Sequence, residues 1–494
     1  MLVVGLDLGT QSCKAVVVDD GLRVRGRHAV SYPTRYPAPD HAEQAVEAWE
    51  GALGGAIAGA LERAGAAPGD IRALAIAGQL DGCVAVDAHG TALHPALIWQ
   101  DRRATTEAAR VAAADVFART GQVADASHLA PKAAWLTAQG VAAARFHVPV
   151  SYLVERLTGE AAIDAAHAST TMLAELATGA WAPALLAAFG LDERRLPVIR
   201  ATCAIAGRLT GRGAWLSGLA VGTPVAVGTG DDFASPLGAG LAEPGSIVCS
   251  IGTAEVVGAI AAAPVRDTGF AEPMVETHAF PTGAYFVENP GWLSGGAVRW
   301  AVRMLGLPDE AALDALAATA PPGAGGVTFV PALAGAMTPV WRAHARGAFH
   351  GLAASHDREH LARAVLEGLA FACRDVVDRL AALGLPTPAL HLLGGASTSA
   401  VWAQLRADVL RRAHHVPAEP DACPLGAAMI ALVAAGGARD LHAAAALVAP
   451  PANTFMPGAA VVQDALDAAY RRYQAVTALL IPTWASTPTA APAR

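Results

Sequence analysis

The residues able to do chemistry fall at strand ends and in short glycine-rich turns. Asp7 is set into the apolar run Leu2 to Leu8 and is followed by Gly9-Thr10-Gln11-Ser12. A carboxylate in an apolar strand is costly unless it is hydrogen-bonded, solvated at a cleft or paired with a cation. The turn after it offers backbone N–H groups and hydroxyls that can wrap an anion. A carboxylate that orients hydrated Mg²⁺ beside a phosphate-holding turn would make half of a nucleotide site. The same residues also suit an ordinary β-hairpin with an acid at its mouth.

Gly228-Thr229-Gly230-Asp231-Asp232 repeats the theme at the end of a second apolar run. Adjacent acids repel, so one serves as a functional acid, or an Asp caps the helix expected from about Phe233. Gly252-Thr253 then stands about half a chain after Gly9-Thr10, again between two apolar runs. Two such hairpins, each opening a half, imply a duplicated architecture whose phosphate loops face each other across a cleft. Gly78-Gln79-Leu80-Asp81-Gly82 and Gln100-Asp101-Arg102-Arg103 follow two further strand candidates, where α/β sheets place ligands. Gly394-Gly395-Ala396-Ser397-Thr398-Ser399 links a strand to a helix and would seat a nucleoside, although a tight turn explains it equally.

The elements that must position these residues are legible from periodicity. Val46, Trp49, Leu53, Ile57 and Leu61 mark an amphipathic helix, and Ile71 to Ala77 a buried strand. Helices are expected from Pro131-Lys132, over Trp292 to Gly306, over Arg358 to Leu383, from Val401 and from Pro424, the last of them closing the fold. Asp164 to Thr171 reads as a polar loop, and residues 486–494 as a frayed tail. A chain of 494 residues exceeds what one core supports, and the boundary is expected near Gly240 to Pro244, giving domains 1–241 and 242–494.

Composition excludes several classes. The net charge of −8 is wrong for a nucleic-acid partner. Hydrophobic residues reach 53%, but much of this is alanine, and no apolar run attains the ~20 residues of a membrane span. Asp7 interrupts the N-terminal apolar run, which argues against a signal peptide and for a cytoplasmic protein. Six scattered cysteines without a C-x-x-C pair suit neither a disulfide framework nor a zinc site.

In chain order, Gly5-Leu6-Asp7-Leu8-Gly9-Thr10, Ala75 to Gln79, Trp99 to Arg103, Gly228 to Asp231, Ser250 to Thr253, Arg346 to Phe349, Leu361 to Gly368, Leu393 to Gly395 and Leu425 to Ala428 resemble the FGGY carbohydrate kinases, with xylulokinases nearest. The resemblance implies two actin-like (RNase H-like) α/β domains around a cleft and ATP-dependent phosphorylation of a primary hydroxyl. D-xylulose comes first as acceptor, then ribulose, erythritol, glycerol or a seven-carbon ketose. It gives Asp231 as general base and Asp7 at Mg²⁺, with Thr10, Gln11, Ser12, Lys14, Gly252 and Thr253 around the phosphates. Gly295, Arg299, Gly394, Gly395, Ala396 and Ser399 would line the nucleoside pocket, and Gln79, Leu80, Asp81, Asp101 and Asp232 the sugar site. It also implies a homodimer.

Four departures stand out. Leu80-Asp81 replaces Met-His, Asp231-Asp232 replaces Asp-Asn, Gly335-Ala336-Met337 replaces Gly-Glu-Arg, and Ala396-Ser397-Thr398 replaces Gly-Ala-Arg. The first two add acid at the sugar pocket and remove the imidazole that would touch a hydroxyl. From another class, an actin- or Hsp70-like ATPase shares the phosphate loops but has no use for Asp231 at a sugar-pocket strand end.

Overall fold

The computed structural model describes residues 1–484, so the tail expected over 486–494 lies outside the described residues. Each half of the chain builds a seven-stranded mixed sheet. In the first, Leu2–Leu8 pairs antiparallel with Ser12–Asp19 and parallel with Ile71–Gly78, so the Gly9 turn and the Gly78 strand end emerge side by side. In the second, Ile247–Ile251 pairs antiparallel with Ala254–Ala261 and parallel with Ala389–Leu393, which sets the Gly252 turn beside Gly394. The duplicated pattern expected from the two Gly-Thr turns is therefore present strand for strand at the centre of each sheet.

One element crosses between the halves. Helix Ala422–Ala434 falls in sequence between two strands of the second sheet, Ala413–Val416 and Asn453–Phe455, yet it lies on the first, against Leu2–Leu8, Ile71–Gly78 and helix Asp231–Gly238. Val3, Val16, Phe233, Leu425, Met429 and Leu432 share one apolar cluster that spans this crossing. Separate clusters fill the interior of each half, and another underlies residues 83–199.

Several expected elements shift. Trp292 belongs to strand Tyr285–Leu293, because it pairs with Glu255 on the adjacent strand, and the helix begins at Gly295. Residues 164–171 hold a helical turn, Ala165–Ala168, where the Asp164 carboxylate accepts from the His167 N–H. The helix from Pro424 is not the last, since Ala460–Trp484 packs Leu466, Tyr470 and Tyr473 onto the second core.

Candidate active site

The two central strand pairs open onto one cleft of about 540 Å³, lined from the first half by Asp7, Gly9 to Ser12, Lys14, Gln79 to Asp81, Asp231 and Asp232 and from the second by Gly252 and Thr253. Asp7 is 8% exposed, and its carboxylate faces Lys14 and the Cys423 thiol. The first turn is held from below. The Thr10 carbonyl accepts from Gln44 Nε2 at 2.6 Å, its hydroxyl accepts from Trp99 Nε1 at 2.9 Å, and the Gly9 carbonyl accepts from Tyr32. Gln44 Oε1 accepts from Trp49 Nε1 at 2.8 Å and Gln79 Nε2 at 3.0 Å, so one buried amide ties this turn to the Gln79 loop.

Asp231 opens the helix Asp231–Gly238, two residues earlier than expected, with Gly230 as its N-cap. Burial, then Asp232, then Asp7 push its carboxyl well above the usual range, which strengthens its ionised form as a proton acceptor. Asp232 is raised likewise by burial, Glu288 and Asp81.

Asp81 goes the other way. It holds a left-handed backbone at φ 56°, a conformation Asp tolerates better than most residues and one that concentrates at functional sites. Its carbonyl accepts from Lys132 Nζ at 2.8 Å, and the same ammonium is also held by the carbonyls of Ile98 at 2.7 Å and of Ser127. Its carboxylate lies 3.1 Å from His128 Nδ1. Burial alone would raise this acid, but His128 and Lys132 hold it below the usual carboxylate range.

The second half supplies an acidic wall. Glu276 and Glu288 are directly opposed on adjacent strands, and His278 Nε2 lies 3.2 Å from Glu288 and 3.8 Å from Glu276. Backbone bonds from Thr277 to Gly121 and from Val123 to the Glu276 carboxylate stitch this strand to the first half. All three side chains line the cleft.

Residues 2–238 match the N-terminal domain of the FGGY family of carbohydrate kinases, and residues 247–435 match its C-terminal domain. The chain belongs to the FGGY family of carbohydrate kinases. It is 31% identical to the xylulose kinase of Escherichia coli over 459 residues, 89% of this chain and 91% of that one. It is 32% identical to the glycerol kinase of Halorhodospira halophila over 498 residues, 96% of this chain and 95% of that one. A solved xyloylose kinase from Brucella ovis superposes with a TM-score of 0.88 at 31% identity, covering 98% of this chain and 100% of that one. This FGGY kinase is thus a sugar phosphotransferase that uses ATP, and the ATPase-scaffold alternative falls away. No described helix is long and apolar enough to cross a membrane.

Within the FGGY kinase the expected residues divide. Asp101 does not line the cleft: its fully buried carboxylate holds Arg103 and the Ala42 N–H, bracing the loop before the first helix. Ser399 caps helix Ala400–Leu410 and donates to Asp314 at 2.6 Å, so its hydroxyl is already engaged. Lys14 lines the cleft while paired to Asp421 at 3.3 Å. Arg299 donates to the Thr253 hydroxyl at 3.1 Å, beside the second phosphate turn. Gly295 and Gly394 press against that turn, where an added Cβ would come within 2.2 Å of the Gly252 carbonyl and 2.5 Å of the Ile251 carbonyl. Gly395 is open, and Ala396 belongs to the same 3₁₀ turn, Gly395–Thr398.

Asp81 does stand where the resemblance would put an imidazole, but His278 lines the pocket from the other half and His128 backs Asp81. The sequence reading missed both, together with Lys132, Glu276 and Glu288. Polar residues two apart in Glu276-Thr277-His278 were the available signal, since period two puts 276 and 278 on one face. Among the described residues, Cys249, Glu255 and Cys373 are the three grouped metal-ligating types outside the cleft. Glu255 there is bound to Arg406 at 2.5 Å and to the Ser294 hydroxyl at 2.6 Å, an ion pair that props up the Gly252 turn.

Proposed function

We propose that this FGGY kinase transfers the terminal phosphoryl group of ATP to a primary hydroxyl of a small ketose or polyol, with Asp231 as general base. The observation that supports it is the convergence of Asp231, Asp7 and both Gly-Thr turns on one cleft. The acceptor oxygen forms its bond to the terminal phosphorus as the bond to ADP breaks, and the hydroxyl proton passes to Asp231. Thr10, Gln11, Ser12, Gly252 and Thr253 would hold the phosphates through backbone N–H groups and hydroxyls, and Arg299 brings a cation to the second turn. Asp7, an oxygen donor close enough to Asp231 to raise it, fits a hard cation. Mg²⁺ held there would supply neutralisation of phosphate charge. Gly395 offers open backbone for the nucleoside, while Gly295 and Gly394 let their segments pack against the second turn. Closure of the halves would exclude water as a competing acceptor.

D-xylulose stands first as acceptor, giving D-xylulose 5-phosphate. Glycerol is the second, favoured by an acid at position 81 and by a glycerol kinase relative as similar as the xylulose kinase. A coupled ADP-release assay over C3 to C7 polyols and ketoses tests the reading. Asp231→Asn is expected to cut acceptor-dependent ADP release by about 10²–10⁴-fold while ATP affinity stays within roughly threefold. Acceptor-dependent turnover that survives this change would remove Asp231 from the role.

A further inference from the structure

The acceptor end of the cleft carries polar atoms that the folded chain leaves without partners. Gln79 Oε1 and Glu288 Oε2 are buried with no hydrogen bond, and so is His278 Nδ1. The three residues are 1%, 1% and 2% exposed, and all line the cleft. Leaving a buried polar atom unpartnered forfeits its hydration with nothing in return, so three in one pocket wall mark a surface completed by a ligand. Their chemistry is restrictive. The Gln79 amide nitrogen already donates to Gln44, which leaves its oxygen only able to accept. His278 Nε2 faces Glu288 Oε1 at 3.2 Å, and its free Nδ1 meets a hydroxyl as donor or acceptor according to the ring's tautomer. Around them stand Asp81, Asp231, Asp232 and Glu276.

We propose that Glu288, reaching in from the second half of the chain, reads the acceptor's non-reacting hydroxyls together with Gln79 and His278, and restricts the enzyme to uncharged polyols and ketoses against the corresponding aldonates. This rests on the phosphotransfer reading above. A hydroxyl both donates and accepts, so it satisfies each of the three orphan atoms whichever state Glu288 adopts. A carboxylate on the acceptor has no proton to give to Gln79 Oε1, and it would enter a wall already lined with acids. Glu288 is the member to which this discrimination is assigned, because it lines the cleft directly across the strand pair from Glu276 and its carboxyl is near enough to Asp232 to raise that acid. Since it belongs to the second half, acceptor recognition is shared between the two halves rather than built on the first alone.

The test uses the full chain with acceptors paired by chain length and configuration: erythritol with erythronate, xylitol and D-xylulose with xylonate, sorbitol with gluconate. Both coupled ADP release and calorimetric binding are read. The neutral member of the best pair is expected to exceed its aldonate by about 100-fold in kcat/KM and to bind where the aldonate does not. Glu288→Gln keeps the shape of the side chain; it is expected to raise acceptor KM about tenfold and to narrow the preference over aldonate about tenfold, with KM for ATP unchanged. Glu288→Asp is expected to restore most of the preference, which a merely structural role would not predict. Phosphorylation or binding of an aldonate within threefold of its neutral partner overturns the proposal, as does an unchanged acceptor affinity in Glu288→Gln. Loss of turnover across the panel with neutral-selective binding retained would count against phosphotransfer and for the role of Glu288.

Discussion

His128 shows how much a single ring decides. Nδ1 lies 2.8 Å from the Thr170 carbonyl and 3.1 Å from Asp81, and Nε2 lies 3.2 Å from the Val123 carbonyl. Carbonyl oxygens only accept, so both nitrogens must donate and the ring is an imidazolium. Burial opposes that charge, but Asp81, with Glu276 and Asp125, outweighs it and pushes the group up to about 9. A histidine raised in the folded state stabilises fully below its unfolded value of about 6.5, and the contribution disappears as pH climbs through 9. Glu276 and Glu288, pushed up to about 7 and about 8 chiefly by burial, titrate in the same window, so the effect is read as a difference. The Tm deficit of Asp81→Asn relative to the native chain is expected to be largest near pH 6, worth roughly 1–3 kcal/mol, and to shrink by pH 9.5. A deficit independent of pH would show that the pair carries no charge.

At the scale of elements, the first sheet and its covering helix meet through glycine. A Cβ on Gly426 would fall 1.9 Å from the Ala234 carbonyl, one on Gly238 1.8 Å from the Ala422 carbonyl, and one on Gly5 2.1 Å from the Pro424 carbonyl. These obstacles are backbone, which cannot move without separating the elements. Gly426→Ala is expected to lower stability in urea unfolding by about 1–3 kcal/mol or more. Gly51→Ala, in helix Val46–Ala64 with open space around it, is expected to raise stability by about 0.5–1 kcal/mol. A result of the same sign at both sites would dismiss the crossing as the reason.

These elements also show what the sequence could reveal. Asp7, Thr10, Asp231 and Gly252 could be placed at the cleft because each sits within or one turn from the strand that positions it, so local pattern and location coincide. Asp101 was misread for the same reason, since its strand-end position says nothing of Arg103 two residues on claiming the carboxylate. Glu288 and His278 were opaque because they reach the cleft only through contact between halves. Trp292 failed on period, its helix-like spacing being overruled by a strand partner.

Across the whole molecule the halves are bound by charge as well as by packing. Arg27 reaches Glu419 at 2.7 Å and Asp421 at 3.0 Å, and Lys14 joins Asp421. With these pairs part-exposed, each contributes little alone. The apolar face under helix Ala422–Ala434 is the larger tie, and it has a consequence during synthesis. Strand Leu2–Leu8 leaves the ribosome roughly 400 residues before its cover, which at ~5–20 residues per second is tens of seconds with one layer of the nascent first half bare. The fragment 1–241 expressed alone is therefore expected to aggregate, and co-expression with 242–494 to return it to the soluble fraction as a complex. A soluble, cooperatively melting 1–241 would refute this. The opening strands of this kinase thus complete their packing only once a segment about 400 residues downstream has been made.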